Sequence, residues 1–286
     1  MKLKIFIICI ALIFTNCASN SKDIYDVGFD KPCINNNEEA YLILDINVVD
    51  MTSKPFSFGG PTGTGSQDKE RTGRYLAKID LKSGEIKVIK KIEDDYKNLI
   101  CKNNIIAFTY NNQTIFFNTT NYEEIKRISA GCYLFYDFTL DLNKIIIDPG
   151  PIVEYNDITK TNTILKPFPN SIRDAKYCPI DETIIAYIGA SNTADNMAGD
   201  IYLIKNDGSG NTLVVSGYNA ENIYWHPDGD TIVFITKDKI YSVNKSGTNV
   251  KILKEVSLPE RVSYSLYYNL FLYIIYPQHE IKIIGF

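Results

Sequence analysis

Along most of the chain, apolar residues alternate with polar ones over short runs, and clusters of Asn, Asp, Gly, Ser and Pro interrupt the alternation before a helical period develops. That is the pattern of short strands joined by tight turns. It is clearest in residues 222–253, NIYWHPDGDTIVFITKDKIYSVNKSGTNVKIL, which divide into strands at 222–226, 231–236, 239–244 and 248–253. Pro227-Asp228-Gly229 ends the first strand. Proline presets φ and cannot donate to a central ladder, aspartate bonds its own backbone, and glycine is free to take positive φ. β-branched and aromatic residues fill 231–236, Lys237-Asp238 turns the chain, and Ile240 and Ser242 alternate with Tyr241 and Val243 in the third strand. A four-stranded sheet this small cannot bury both faces alone, so similar units are expected on either side.

The same spacing recurs along the chain. The first unit starts near Phe29, passes Cys33 and an Asn35-Asn36-Asn37 turn, and predicts strands at 41–49, 74–81 and 85–91, with a long insertion at 52–73. A second unit predicts strands at 96–101, 105–110, 114–118 and 122–128, joined by Asn-rich turns that tolerate left-handed backbone. A third predicts strands at 133–139, 144–148, 152–156 and 162–166, and the last has three, at 262–266, 270–276 and 280–285. The fourth unit, 172–216, repeats the fifth: Tyr177-Cys178-Pro179-Ile180-Asp181 stands where Trp225-His226-Pro227-Asp228-Gly229 stands later. Over 172–254 the Pro-Asp-Gly turn, the apolar strand and the Ile201-Tyr202 and Ile240-Tyr241 strands resemble the TolB-type propeller repeat, with Cys178 and His226 in place of its Ser. The expected fold class is all-β: a single β-propeller over 29–286, with six four-stranded blades, though spacing alone leaves a seventh open. Residues 24–27 are the candidate strand to complete the last blade, since closure removes open edges.

Residues 1–16 carry Lys2 and Lys4 and then an apolar stretch at 5–14, too short to span a bilayer comfortably and suited to a secretory leader. Phe14-Thr15-Asn16-Cys17 resembles the bacterial lipobox, with Asn16 in place of Gly, Ala or Ser and Phe14 in place of Leu. The resemblance implies lipidation of Cys17 as the mature N-terminus, followed by a polar tether over 17–28. Ala18, where enteric sorting would read an Asp, implies the outer membrane. Several acyl chains at about 0.8 kcal/mol per buried CH₂ would hold the protein on that surface.

The formal charge is −4, and −6 once Lys2 and Lys4 leave with the leader. No basic patch offsets it, so nucleic acid is not an expected partner. Cys33, Cys101, Cys132 and Cys178 remain, and three pairings are open to them. With no CxxC and only His226 and His279 to join them, no metal site is expected. Cys33, Cys101 and Cys178 fall at similar places in their units, near the end of a first strand, and are expected to be small buried packing residues.

Gly60-Pro61-Thr62-Gly63-Thr64-Gly65-Ser66-Gln67 nearly spells a phosphate-cradling loop, but Ser66 and Gln67 occupy the positions of the required Lys and Ser/Thr, and a charged segment follows instead of a helix. No cofactor is expected. This insertion and the one at 189–199 both join second to third strands, so both should emerge on one face, from blades on opposite sides of a six-bladed ring. Loops on a rigid scaffold often bind, which makes Gly60, Thr62, Thr64, Arg71, Asn192, Asp195 and Asn196 the candidate binding residues. Solvated turns explain Asp195 and Asp200 more simply than Ca²⁺ does, because the calcium-loop spacing is missing. No catalytic residue is assigned: GxSxG and HExxH are absent, and His226 sits beside a turn with no nucleophile motif pointing to it. Blade packing accounts for Trp225 and the Tyr-rich 264–276 segment. The expected function is that of an exported, membrane-tethered monomer that binds or scaffolds an envelope protein or polysaccharide. The rival is a propeller lyase or hydrolase acting on an envelope or extracellular polymer, with acidic and His residues around its channel.

Overall fold

The structure, a computed structural model, describes residues 24–29, 32–49, 70–92, 97–131, 135–147, 152–166, 172–190, 199–258, 262–275 and 280–286. These form six antiparallel sheets, the blades of a β-propeller. Blade one holds β1 (Ile24–Phe29), β2 (Cys33–Ile34), β3 (Glu39–Val49), β4 (Glu70–Asp80) and β5 (Ile86–Ile92). Blade two holds β6 (Lys97–Lys102), β7 (Ile105–Tyr110), β8 (Gln113–Asn118) and β9 (Glu124–Ile128). Blade three holds β10 (Phe135–Phe138), β11 (Lys144–Ile147), β12 (Ile152–Asn156) and β13 (Thr161–Lys166). Blade four holds β14 (Ile172–Tyr177), β15 (Ile184–Ala190), β16 (Gly199–Lys205) and β17 (Thr212–Val215). Blade five holds β18 (Asn222–Trp225), β19 (Thr231–Ile235), β20 (Lys239–Asn244) and β21 (Lys251–Glu255), and blade six holds β22 (Val262–Leu266), β23 (Leu270–Ile275) and β24 (Glu280–Gly285).

There is no single core. Six apolar clusters lie between consecutive blades, and the two-residue period of each strand supplies two of them. In β3, Tyr41 and Ile43 pack toward blade two, while Ala40, Leu42 and Leu44 pack toward blade six. In β19, Ile232 and Phe234 face blade four, and Val233 and Ile235 face blade six. Inner strands such as β7 and β19 therefore read as short, nearly continuous apolar runs, buried on both faces.

The first strands β2, β6, β10, β14, β18 and β22 adjoin one another in succession, and β22 meets β2 to close the ring. At that seam the Ile34 amide donates to Ser265 Oγ at 3.1 Å, and Asn37 Nδ2 donates to the Tyr268 hydroxyl at 3.1 Å. The turns follow their chemistry. Asn103 and Asn104, with φ of 49° and 62°, make the two-residue link between β6 and β7. Gly229 has φ of +65°, and a Cβ there would lie 2.1 Å from Ile180 Cγ1, so the Pro-Asp-Gly turn needs glycine for both conformation and space.

Two expectations are corrected. Residues 24–27 do not complete blade six: β1 pairs antiparallel with the far half of β3, Ile24 opposite Val49 and Phe29 opposite Leu44, which extends blade one. Blade six keeps three strands among the described residues. Cys33 and Cys101 are buried as expected, but they form a disulfide between β2 and β6, with Cα atoms 5.8 Å apart. Cys178 is a free, buried thiol, and Cys132 lies outside the described residues.

Candidate functional site

Five of the six strands around the axis contribute polar side chains, and most of these bond to the next strand in the ring. Asp137 on β10 is buried, and its Oδ2 accepts the Tyr177 amide of β14 at 2.8 Å. Asp174 on β14 repeats the device one blade on: Oδ2 accepts the Ile223 amide of β18 at 3.1 Å and Asn222 Nδ2 at 2.7 Å. Both aspartates sit where the register of their strand shifts, at bulges between Phe135 and Asp137 and between Ile172 and Asp174. Bulges re-aim side chains, and here they turn carboxylates along the ring.

Two lysines neutralise the aspartates. Lys102 Nζ lies 3.4 Å from Asp137 Oδ2 and donates to the Phe138 carbonyl at 2.8 Å. Lys176 Nζ donates to Asp174 Oδ1 at 2.6 Å and to the Tyr136 carbonyl at 2.8 Å. The lysine side chains are 15% and 21% exposed and the aspartates 4% and 5%. Charges this deep are tolerated only when paired and hydrogen-bonded. The aromatic residues complete the wall. Trp225 Nε1 donates to the Lys176 carbonyl at 3.1 Å, the Tyr177 hydroxyl to Glu154 Oε2 at 2.9 Å, and the Tyr264 hydroxyl to Glu221 Oε2 at 3.0 Å. Burial, and then the Glu154 carboxylate, pushes the Tyr177 hydroxyl well above the usual phenol range. Tyr224 is raised by burial and then by Tyr267, and Tyr264 by burial and then by Glu221. These phenols stay protonated at neutral pH, as donors.

Lys102, Asp137, Lys176, Tyr177, Tyr224 and Trp225 are among the residues lining a partly open cavity of about 70 Å³. That is far below the roughly 300–1,000 Å³ typical of small-molecule sites. A shallower groove of about 390 Å³ lies outside the axis, between blades one and two, and Lys78, Asp80, Glu85, Lys87 and Tyr122 are among its lining residues. Its charges are mixed in sign, with Lys78 paired to Glu39 and Lys82 to Glu38. Among the described residues, no three His, Cys, Asp or Glu side chains are placed to hold a metal ion. His226 stands at the β18–β19 turn, where Nδ1 accepts the Asp228 amide at 3.2 Å and the ring meets Tyr268 edge-on with centroids 5.1 Å apart.

Of the residues singled out from sequence, Cys17, Gly60, Thr62, Thr64, Asn192, Asp195 and Asn196 lie outside the described residues. Arg71 is in β4, its Cα opposite Asn47. The axial group was not anticipated. Its only trace in the sequence is charge within short first strands, IRDAKY at 172–177 and FYDF at 135–138, where both faces should be covered.

No protein-family model matches the chain, and no curated protein matches it in sequence. The fold is similar to that of several solved structures. An oligogalacturonate lyase in complex with manganese shares 11% identity over 93% of this chain and 84% of its own, with a TM-score of 0.49. A putative TolB from Agrobacterium tumefaciens shares 12% over 83% of each chain, with a TM-score of 0.46. KlHsv2 with its loop 6CD replaced by a Gly-Ser linker shares 12% over 92% of this chain and 98% of its own, also at 0.46. The six closed blades rest on the strand pairing itself, and the chain is a six-bladed β-propeller.

Proposed function

We propose that this chain is an exported lipoprotein, tethered through Cys17, whose propeller binds or scaffolds an envelope protein or polysaccharide without catalysing a reaction. One observation carries the noncatalytic reading: the axial carboxylates are engaged. Asp137 and Asp174 each hold a backbone amide of the next blade and a lysine, and Asp137 borders a cavity of only about 70 Å³. A general base needs a free lone pair within reach of a substrate proton, and Asp174, with four donors on its two oxygens, offers none. Export is supported by the Cys33–Cys101 disulfide, a bond that persists in oxidising compartments and is rare in the cytosol. The insertions at 52–73 and 189–199 make the face that carries them the proposed contact surface.

Affinity capture from envelope extracts tests this. The full-length protein is expected to retain a partner that a variant lacking residues 57–72 retains at least tenfold less well. Equal recovery by both, with both folded, would remove the loop face from the account.

A further inference from the structure

We infer that the outer edge of blade six is a self-association surface, where β24 pairs antiparallel with β24 of a second copy. In the other blades the third strand in radial order (β8, β12, β16 and β20, with β4 in the larger sheet of blade one) is paired on both sides. In blade six that place belongs to β24, which among the described residues pairs only with β23.

Hydrogen-bond phase shows what the edge presents. The Phe286 amide donates to the Asn269 carbonyl at 3.2 Å, and β23 and β24 keep one register, Leu270 opposite Gly285 through Ile275 opposite Glu280. In an antiparallel pair, alternate residues point their backbone groups to alternate sides. Lys282, Ile284 and Phe286 therefore bond toward β23. Ile281, Ile283 and Gly285 turn three N–H and three C=O groups outward.

This edge is self-complementary. A two-fold axis at Ile283 sets Ile283 opposite Ile283 of the other copy and Ile281 opposite Gly285, so that all the outward groups meet in six N–H···O bonds. The intervening pairs set Lys282 beside Ile284, so no like charges meet. Ile283 and Ile284 are only half-buried, which leaves apolar surface on both faces of the edge for the incoming strand to cover.

Three other blade edges are defended by charge, as exposed strands usually are, whereas β13 carries only Lys166, at its end. β5 carries Lys87, Lys90 and Lys91; β9 carries Glu124, Lys126 and Arg127; β21 carries Lys251, Lys254 and Glu255, with all five of its residues exposed. β17 is uncharged but only four residues long. Between Ile281 and Gly285, β24 carries Lys282 alone. The inference is independent of the proposed function, and it departs from the monomer expected from the sequence.

Cysteine cross-linking of the purified full chain under a mild oxidant, followed by non-reducing gels, tests it. At the two-fold position the Cα atoms of an antiparallel pair come within roughly 5.5 Å, inside disulfide range, whereas Lys282 and its symmetry mate are two residues out of step and beyond the roughly 7 Å limit. Ile283→Cys is expected to give a covalent homodimer at least tenfold more abundant than Lys282→Cys or the wild type gives. Equal cross-linking at both positions, or none at either, would overturn the pairing. Ile283→Pro removes an outward N–H and no bond to β23. By light scattering it is expected to halve the mass of a dimeric wild type, with an unchanged far-ultraviolet spectrum. A wild type that is already monomeric at about 100 μM, a concentration at which even weak strand pairing registers, would count equally against it.

Discussion

Asp174→Ala lowers the free energy of unfolding by about 3–5 kcal/mol, the cost of breaking a buried ion pair from one side. The carboxylate holds four donors: the Ala175 amide at 3.0 Å, Lys176 Nζ at 2.6 Å, Asn222 Nδ2 at 2.7 Å and the Ile223 amide at 3.1 Å. Its removal leaves the Lys176 ammonium, 21% exposed, with the Tyr136 carbonyl as its remaining acceptor, and strips the Ile223 amide of its partner at the seam between blades four and five. An orphaned buried amide costs about 1–3 kcal/mol by itself, but the two losses share one cause and do not add. Urea unfolding should show the midpoint falling with an unchanged slope, the sign of lost stability without a changed denatured state. Lys176→Met in the Asp174→Ala background should recover part of the loss, because it removes the uncompensated charge. A loss below about 1 kcal/mol would mean that the interblade staple contributes no more than an exposed ion pair.

The second large effect lies at the Cys33–Cys101 disulfide. The bonded residues are 68 positions apart, and closing a loop of that size in the unfolded chain is worth about 4 kcal/mol on the chain-entropy account. The bond also has a structural place of its own. Blade one meets blade six through apolar packing and two hydrogen bonds, and it meets blade two through a shared core, the hydrogen bonds of Asn35 with Asn104 and of Lys90 with the Tyr122 carbonyl, and this one covalent link. Cys33→Ser, and the wild type unfolded under reducing conditions, should both lose about 4 kcal/mol relative to the oxidised wild type. The reduced wild type and the variant should agree within the error of the measurement. If reductant exposes two further thiols and leaves the unfolding midpoint unchanged, the disulfide does not stabilise the ring.

Much of the architecture could be read from residues because local chemistry sets it. The Pro227-Asp228-Gly229 turn, the Asn103-Asn104 turn and the alternation in Lys239–Asn244 are decided within a few positions, and each appears in the fold where sequence placed it. Strand partners are set over longer distances. The sequence of Ile24–Phe29 says that it favours a strand, not which edge will receive it. β3 and β4 are eleven residues each, long enough to extend past their neighbours and offer residues 44–49 as a partner. The disulfide was illegible for a related reason: four cysteines permit three pairings, and only the adjacency of β2 and β6 brings Cys33 and Cys101 together. The axial network was harder still. Lys102, Asp137, Asp174 and Asn222 come from four strands in different blades and share no spacing, so their association exists only once the ring has closed.

The central claim is that the axial acids are architecture, and equilibrium unfolding of Asp137→Asn tests it most directly. Asparagine keeps the size of the side chain and an oxygen for the Tyr177 amide, but it abandons the charge opposite Lys102. The predicted result is a loss of about 1.5–3 kcal/mol, the range for a hydrogen bond to a charged group. Stability unchanged or raised would contradict the account, because that is the behaviour of a carboxylate held at the axis for chemistry at the expense of the fold.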